Sequence, residues 1–194
     1  SRAMSLDTNA PSGLELWGGV ECTHSRVGDT FTSQIDRSGH SDRPDDLHRF
    51  ASLGIRTLRY PVLWERTAPG GPDAADWTFA DERLEGLRAL GIAPIVGLMH
   101  HGSGPEERSL IDDRLPEELA AFAGALARRH PWIADWTPVN EPLTTARFSA
   151  LYGVWYPHLR DDLAFVRALL IQCRATVLAM RAVRAVNPAA RLVQ

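Results

Sequence analysis

The chain has 194 residues, 44% of them hydrophobic, a formal net charge of -3, and 21 basic residues that are all arginine. That length can bury one sizeable core, and the even mixing of acids and bases leaves no basic block, which argues against a nucleic-acid partner. No uninterrupted apolar run approaches the roughly 18 residues of a membrane span, and the first residues lack the charged start and apolar centre of a signal peptide, so a cytoplasmic protein with no membrane partner is expected. Ser1-Arg2-Ala3-Met4 reads as an expression-tag remnant before a native Met, which makes residues 1–13 tag and disordered leader and residues 14–194 the folded unit. Cys22 and Cys173 form neither a disulfide framework nor a Cys-x-x-Cys motif, and both are expected as small buried hydrophobes.

In chain order, Glu15 to Cys22 reads as a first strand in which Gly18-Gly19 permits close backbone approach, and residues 23–45, rich in Gly, Ser, Thr and Asp, read as a loop. Leu47, Phe50 and Leu53 give helical spacing over residues 45–53, stopped by Gly54. Ile55 to Leu63 is a second strand ending in Arg59-Tyr60-Pro61, followed by a Pro/Gly-rich loop from Ala68 to Pro72 and a second helix from Asp81 to Leu90. Ile92 to Met99 is the third strand and runs into His100-His101-Gly102-Ser103-Gly104-Pro105; Pro116 to Arg129 is the third helix. The fourth strand, Trp132 to Val139, ends in Asn140-Glu141-Pro142. A long helix, Asp161 to Val186, carries an apolar stripe of Leu163, Val166, Leu170, Cys173, Val177 and Met180, and Arg191 to Gln194 opens a fifth strand.

Strands that are apolar throughout, alternating with helices, mark a parallel sheet covered on both faces, either doubly wound or a (β/α)8 TIM barrel. Gly18-Gly19 is followed by Glu21-Cys22-Thr23, so the Gly-x-Gly-x-x-Gly of a dinucleotide-binding turn is absent and no cofactor is expected. In either architecture the carboxyl end of a strand is where chemistry happens, which makes Glu141 a candidate acid, base or nucleophile; the competing reading is that it caps the following helix. Arg59 equally fits an interior ion-pair partner, and His100 and His101 fit hydrogen-bonded structural roles. Adjacent histidines point to opposite sides of a strand, so His24, His100 and His101 have no metal-ligand spacing and no metal is expected. Trp155 and Tyr156 fit a sugar-stacking platform as well as they fit core cover.

Taken together, these motifs resemble the amino-terminal half of a family-1 glycoside hydrolase (beta-glucosidase-like). Leu16-Trp17-Gly18-Gly19 resembles the family's strand-one Leu-Trp-Gly-Ala, Arg59-Tyr60-Pro61-Val62-Leu63-Trp64-Glu65-Arg66 its Arg-Phe-Ser-x-x-Trp-x-Arg, and Leu98-Met99-His100-His101 with Pro105 its Leu-Tyr-His-Trp-Asp-x-Pro. Asn140-Glu141-Pro142 matches the acid/base motif, and Tyr152-Gly153 with Pro157 the loop after it. The resemblance implies a TIM barrel of which this chain supplies strands one to four and the start of five, and a retaining hydrolysis of O-glycosides with Glu141 as acid/base. It further implies that Asn140 and His100 contact sugar hydroxyls and that Arg59 keeps the second carboxylate ionised. Four positions depart from the family pattern: Ser25 stands for a sugar-gripping Gln, His101 for Trp, Gly102 for Asp, and Pro138 for the Thr two before Asn, with a Thr displaced to 137. His101 is carried as a further substrate contact, and Glu21 is assigned part of the lost strand-one contact.

The departures resemble a divergent bacterial branch sometimes fused to a dTDP-4-dehydrorhamnose reductase-like domain. The family's nucleophile follows strand seven, so it is expected from sequence beyond this chain, which reads as a fragment; the other route to a closed sheet is self-association through the open barrel edge. Asp135, Glu106 and Glu107 are weaker substitutes for the second carboxylate. The alternative function is a non-catalytic sugar or nucleotide-sugar binding domain serving a fused or partner reductase-like enzyme.

Overall fold

The computed structural model describes residue 13 and residues 15–194, so all but Gly13 of the assigned leader lies outside the described residues. The strands in chain order are β1 (Trp17–Gly19), β2 (His24–Val27), β3 (Thr30–Ser33), β4 (Thr57–Pro61), β5 (Ala93–His100), β6 (Asp135–Asn140) and β7 (Arg191–Leu192). The helices are α1 (Gln34–Arg37), α2 (Asp46–Ser52), α3 (Trp64–Thr67), α4 (Thr78–Ala89), α5 (Leu115–Arg129), α6 (Pro142–Ala146) and α7 (Asp162–Val186), with a π-helical turn at Arg147–Leu151.

Five strands form one sheet in the order β1-β4-β5-β6-β7, and every neighbouring pair is parallel. Spatial order follows sequence order with no reversal. A doubly wound sheet must reverse at a switch point, whereas a (β/α)8 barrel adds each strand beside the last, so the chain builds the first half of a TIM barrel. The register sets Gly19 opposite Arg59 and His100 opposite Asn140, which brings the carboxyl ends of β1, β4, β5 and β6 together at one rim.

Burial follows from this topology. All six residues of β6 are buried, as a central parallel strand with both faces covered requires. Trp136 is fully enclosed and its indole N–H donates to the Ile133 carbonyl at 3.3 Å. Gly18 meets a steric demand, since a Cβ there would lie 2.9 Å from both Ile55 Cδ1 and Leu58 Cδ1. Gly124 of α5 lets α7 come close, its would-be Cβ lying 3.4 Å from Ala182 Cβ.

That close approach corrects the reading of α7. The helix buries Ala168, Ile171, Gln172, Ala175, Ala179, Met180 and Val183, an alanine-rich face that can sit against α5 at short range. Of the larger apolar stripe, Leu163, Val166, Leu170 and Val177 are exposed, with Leu163 at 81%, and Cys173 is exposed as well; only Met180 of that set is buried. Cys22 is buried as expected. By length and mean hydropathy (1.6), α7 also passes for a membrane-crossing helix, although its small-residue face is packed on protein. Asp161 caps its start by accepting from the Ala164 N–H at 2.7 Å.

The segment expected as loop, residues 23–45, folds instead into the β2–β3 hairpin, α1 and a 3-10 turn at His40–Asp42. It is locked to the barrel by a buried chain in which Asp46 Oδ2 meets His40 Nδ1 at 2.9 Å and His40 Nε2 meets the Tyr60 hydroxyl at 2.8 Å. Polar composition hid the local hairpin, and the His40–Tyr60 bond that docks the segment spans too much sequence to be read from it. Tyr60→Phe strands the buried His40 Nε2, so the expected loss is about 1–3 kcal/mol of unfolding free energy at unchanged m-value, checked by urea denaturation.

Candidate active site

Three adjacent strands converge on one side chain. Asn140, the last residue of β6, is buried, and its Oδ1 accepts from Arg59 Nη1 of β4 at 2.9 Å. Since guanidinium has no acceptor, this bond fixes the amide orientation, and Nδ2 must face the other way. It does so toward His100 Nε2 at 3.2 Å and His101 Nε2 at 3.5 Å, both at the end of β5. His100 therefore accepts at Nε2 and is neutral. Its pKa is pushed down to about 4, first by burial and then by the charges of His101 and Arg59.

Glu141 follows in the left-handed region, φ 45° and ψ 64°, where non-glycine residues are uncommon. His101 is held likewise at φ 59°, so two adjacent strands each end in a strained non-glycine residue at the same rim. Glu141 occupies the N-cap position of α6, yet its side chain makes no capping bond and stands 60% exposed, turned so that Oε2 lies 3.8 Å from His101 Nε2. The helix-capping reading of Glu141 is therefore not realised. A carboxylate that is exposed at the rim, beside a buried and oriented amide, can exchange protons with a bound molecule.

Thr145, missed in the sequence, completes the constellation. Its hydroxyl donates to the Glu141 carbonyl at 3.2 Å and so accepts from His101 Nδ1 at 2.9 Å, which places the His101 proton on Nδ1 and turns the Nε2 lone pair toward Asn140 and Glu141. The i,i+4 spacing of Glu141 and Thr145 was the only signal for it. Burial lowers the His101 pKa, assisted by Arg59 and opposed by Glu141 and then Glu21. Glu21, exposed just beyond β1, thus sits within electrostatic reach of the site. Trp155 packs on His101 with ring centroids 5.3 Å apart and on Phe148 of the π-helical turn at 5.0 Å, which makes it a wall of the site. Tyr156 is turned to the hairpin, with Arg26 over its ring at 4.0 Å.

Other candidates are not brought in. Asp135 begins β6, about 17 Å along the strand from Asn140, and is held by two bonds from Arg191 at 2.7 and 2.9 Å. Glu106 and Glu107 are exposed on the loop after β5. Ser25 lies in β2, paired with Thr32.

No protein-family model matches the chain. It is similar to beta-glucosidase A of Thermotoga maritima, 24% identical over 181 residues that cover 89% of this chain and 40% of that protein. It is also similar to 6-phospho-beta-glucosidase of Dickeya chrysanthemi, 28% identical over 186 residues, covering 89% of this chain and 39% of that one. Among solved structures, the Thermotoga maritima beta-glucosidase in complex with castanospermine superposes with a TM-score of 0.75 at 18% identity, over 94% of this chain and 48% of that one. The chain thus shares their barrel fold and spans less than half of their length.

Burial sets the charge state of His100, and the sign follows. Its folded pKa of about 4 lies below the ordinary histidine value of 6.5, so its contribution to stability is present above about 6.5 and is lost as pH falls through about 4. In an NMR titration the His100 imidazole resonances should stay at their neutral values from about pH 8 down to about pH 5; a midpoint near 6.5 would contradict the buried acceptor role.

Proposed function

We propose that the chain is the amino-terminal half of a cytoplasmic retaining O-glycoside hydrolase of the beta-glucosidase type, with Glu141 as general acid/base and a nucleophilic carboxylate supplied by sequence beyond Gln194. The observation that carries this reading is the exposed Glu141 carboxyl at the carboxyl end of β6, beside an Asn140 tied to both β4 and β5. The similarity to beta-glucosidases over 89% of this chain supports it.

In this reading a protonated Glu141 gives its proton to the glycosidic oxygen as the bond to the anomeric carbon breaks, while the second carboxylate, about 5–5.5 Å away, bonds that carbon. Glu141, now ionised, takes a proton from the water that releases the sugar. Arg59 places a permanent positive charge at the rim between β1 and β5, where it favours an ionised carboxylate. His100 and Asn140 supply polar edges for sugar hydroxyls, and His101, Trp155 and Glu21 bound the same space.

One observation favours a second reading, a sugar or nucleotide-sugar binding domain without catalysis that serves a fused or partner dTDP-4-dehydrorhamnose reductase-like enzyme. The altered strand-one and strand-three positions carry it: Ser25 is paired with Thr32 in β2, and His101 and Gly102 stand where the resembled motif has Trp and Asp. Binding of simple sugars by calorimetry with no cleavage of any aryl glycoside selects this second reading.

In a protein that carries the whole barrel, Glu141→Gln should lower turnover of natural glycosides by about 100- to 10,000-fold while leaving the glycosyl-enzyme burst from activated aryl glycosides largely intact. Burst and steady-state kinetics separate the two, and equal loss of both steps removes Glu141 from the acid/base role.

A further inference from the structure

Beneath the loop that follows β5 lies a carboxyl group the proposed chemistry does not use. Glu65 of α3 points into protein: its Oε2 is buried without a hydrogen-bond partner, and its Oε1 accepts only a long bond from the Gly104 N–H, at 3.4 Å. Such a group is costly to hold, and among the described residues no cation lies within ion-pair distance of it.

Gly102 shows what the carboxyl does there. A Cβ on Gly102 would lie 1.9 Å from Glu65 Oε1 and 3.0 Å from its Cδ, with the His24 carbonyl oxygen 3.2 Å away. The Gly102 φ lies outside the left-handed region, so what a Cβ there would meet is the Glu65 carboxyl first and the His24 carbonyl second. Gly104 differs, with φ 84° and a would-be Cβ 3.1 Å from both Trp64 and Arg108. The Trp64-Glu65 pair thus fills the room of two side chains in the loop that starts at the strained His101.

We propose that Glu65 is the positioning residue for His101: its carboxyl, reaching across from α3, stands in for a side chain at position 102 and holds the loop that sets His101 against Asn140 and Glu141. The proposal deepens the site reading above and rests on it for the importance of His101.

The charge state matters to the hold. Burial raises Glu65 from the ordinary glutamate value of 4.5 to about 7, opposed only by its own backbone N–H and that of Gly104. The groups around it are Cys22 after β1, with Glu21 and Arg59 beyond, the His24 carbonyl of β2 and the Gly104 N–H; Arg66 on its own helix is turned away to Ser33 and Asp36. None offers a counter-charge in contact, so the protonated form is the one that fits. Because the folded value lies above the unfolded one, this group's contribution to stability is full below about 4.5 and is lost as pH rises through about 7.

The test compares wild type, Glu65→Gln, Glu65→Ala and the double variant Glu65→Ala/Gly102→Asp. Two readouts are taken, the His101 imidazole ¹⁵N resonances and urea stability from about pH 5 to pH 8. Glu65→Gln should keep the wild-type His101 resonances, and wild-type stability should fall relative to it as pH rises. Glu65→Ala should move the His101 resonances and its pKa, and restoring a carboxyl with Gly102→Asp should bring them back. Unmoved resonances in Glu65→Ala, or no return in the double variant, overturn the positioning role; parallel pH profiles of wild type and Glu65→Gln overturn the held proton. Should Glu65→Ala fail to fold, Gly102→Ala in the wild-type background reads the same contact, and unshifted His101 resonances again overturn the proposal. No readout needs turnover, so failure here is distinct from failure of Glu141 as acid/base.

Discussion

The bond from Arg59 to Asn140 is the constraint on which the rim depends. It joins β4 to β6 across β5, and because a guanidinium can only donate, it decides which way the Asn140 amide faces. From that orientation follow the acceptor role of His100, its neutral state, and the placement of the Nε2 atoms of both histidines around one amide. Thr145 then sets the His101 tautomer from below. Lysine at position 59 would supply charge without the fixed fork that reaches past His100, and the order of the rim would loosen.

The strain at this rim is concentrated. Among the described residues, the non-glycine residues with positive φ are His101, Glu141 and His158, and the first two end adjacent strands. A backbone held in the left-handed region persists only when its surroundings over-determine it. Here Pro142 begins a helix directly after Glu141, while the room under the loop after His101 is occupied by Trp64 and Glu65. Both devices leave the Glu141 carboxyl open to solvent at the rim.

The packing behind the rim is made from small residues. The alanine-rich face of α7 and Gly124 of α5 let two helices lie close over β6, so that the sheet is sealed on its outer side by α5, α7 and the stacked Trp77–Phe122 pair at 5.7 Å. The bulkier stripe of α7 faces outward, and the sheet has β1 and β7 as its edges. These features belong to a barrel half whose relatives are more than twice as long.

Much of this was legible in the sequence, because parallel strands advertise themselves as apolar runs and their polar ends stand out against them. His100 and Asn140-Glu141 each close such a run and Arg59 interrupts one, and the structure gathers all four at one rim. Local patterns stop where a decision depends on what approaches from elsewhere. The stripe on α7 has good helical periodicity, yet steric fit to α5 buried the alanines instead. Residues 23–45 read as loop because their polar composition hid a local hairpin closed at Gly28-Asp29, and the bond from His40 to Tyr60 that docks the segment is distant. The sequence assigned Glu65 no role within its motif and read Gly102 as a departure from another; only the tertiary structure put the one in the other's space, since a contact between residues 37 positions apart leaves no trace in the pattern around either.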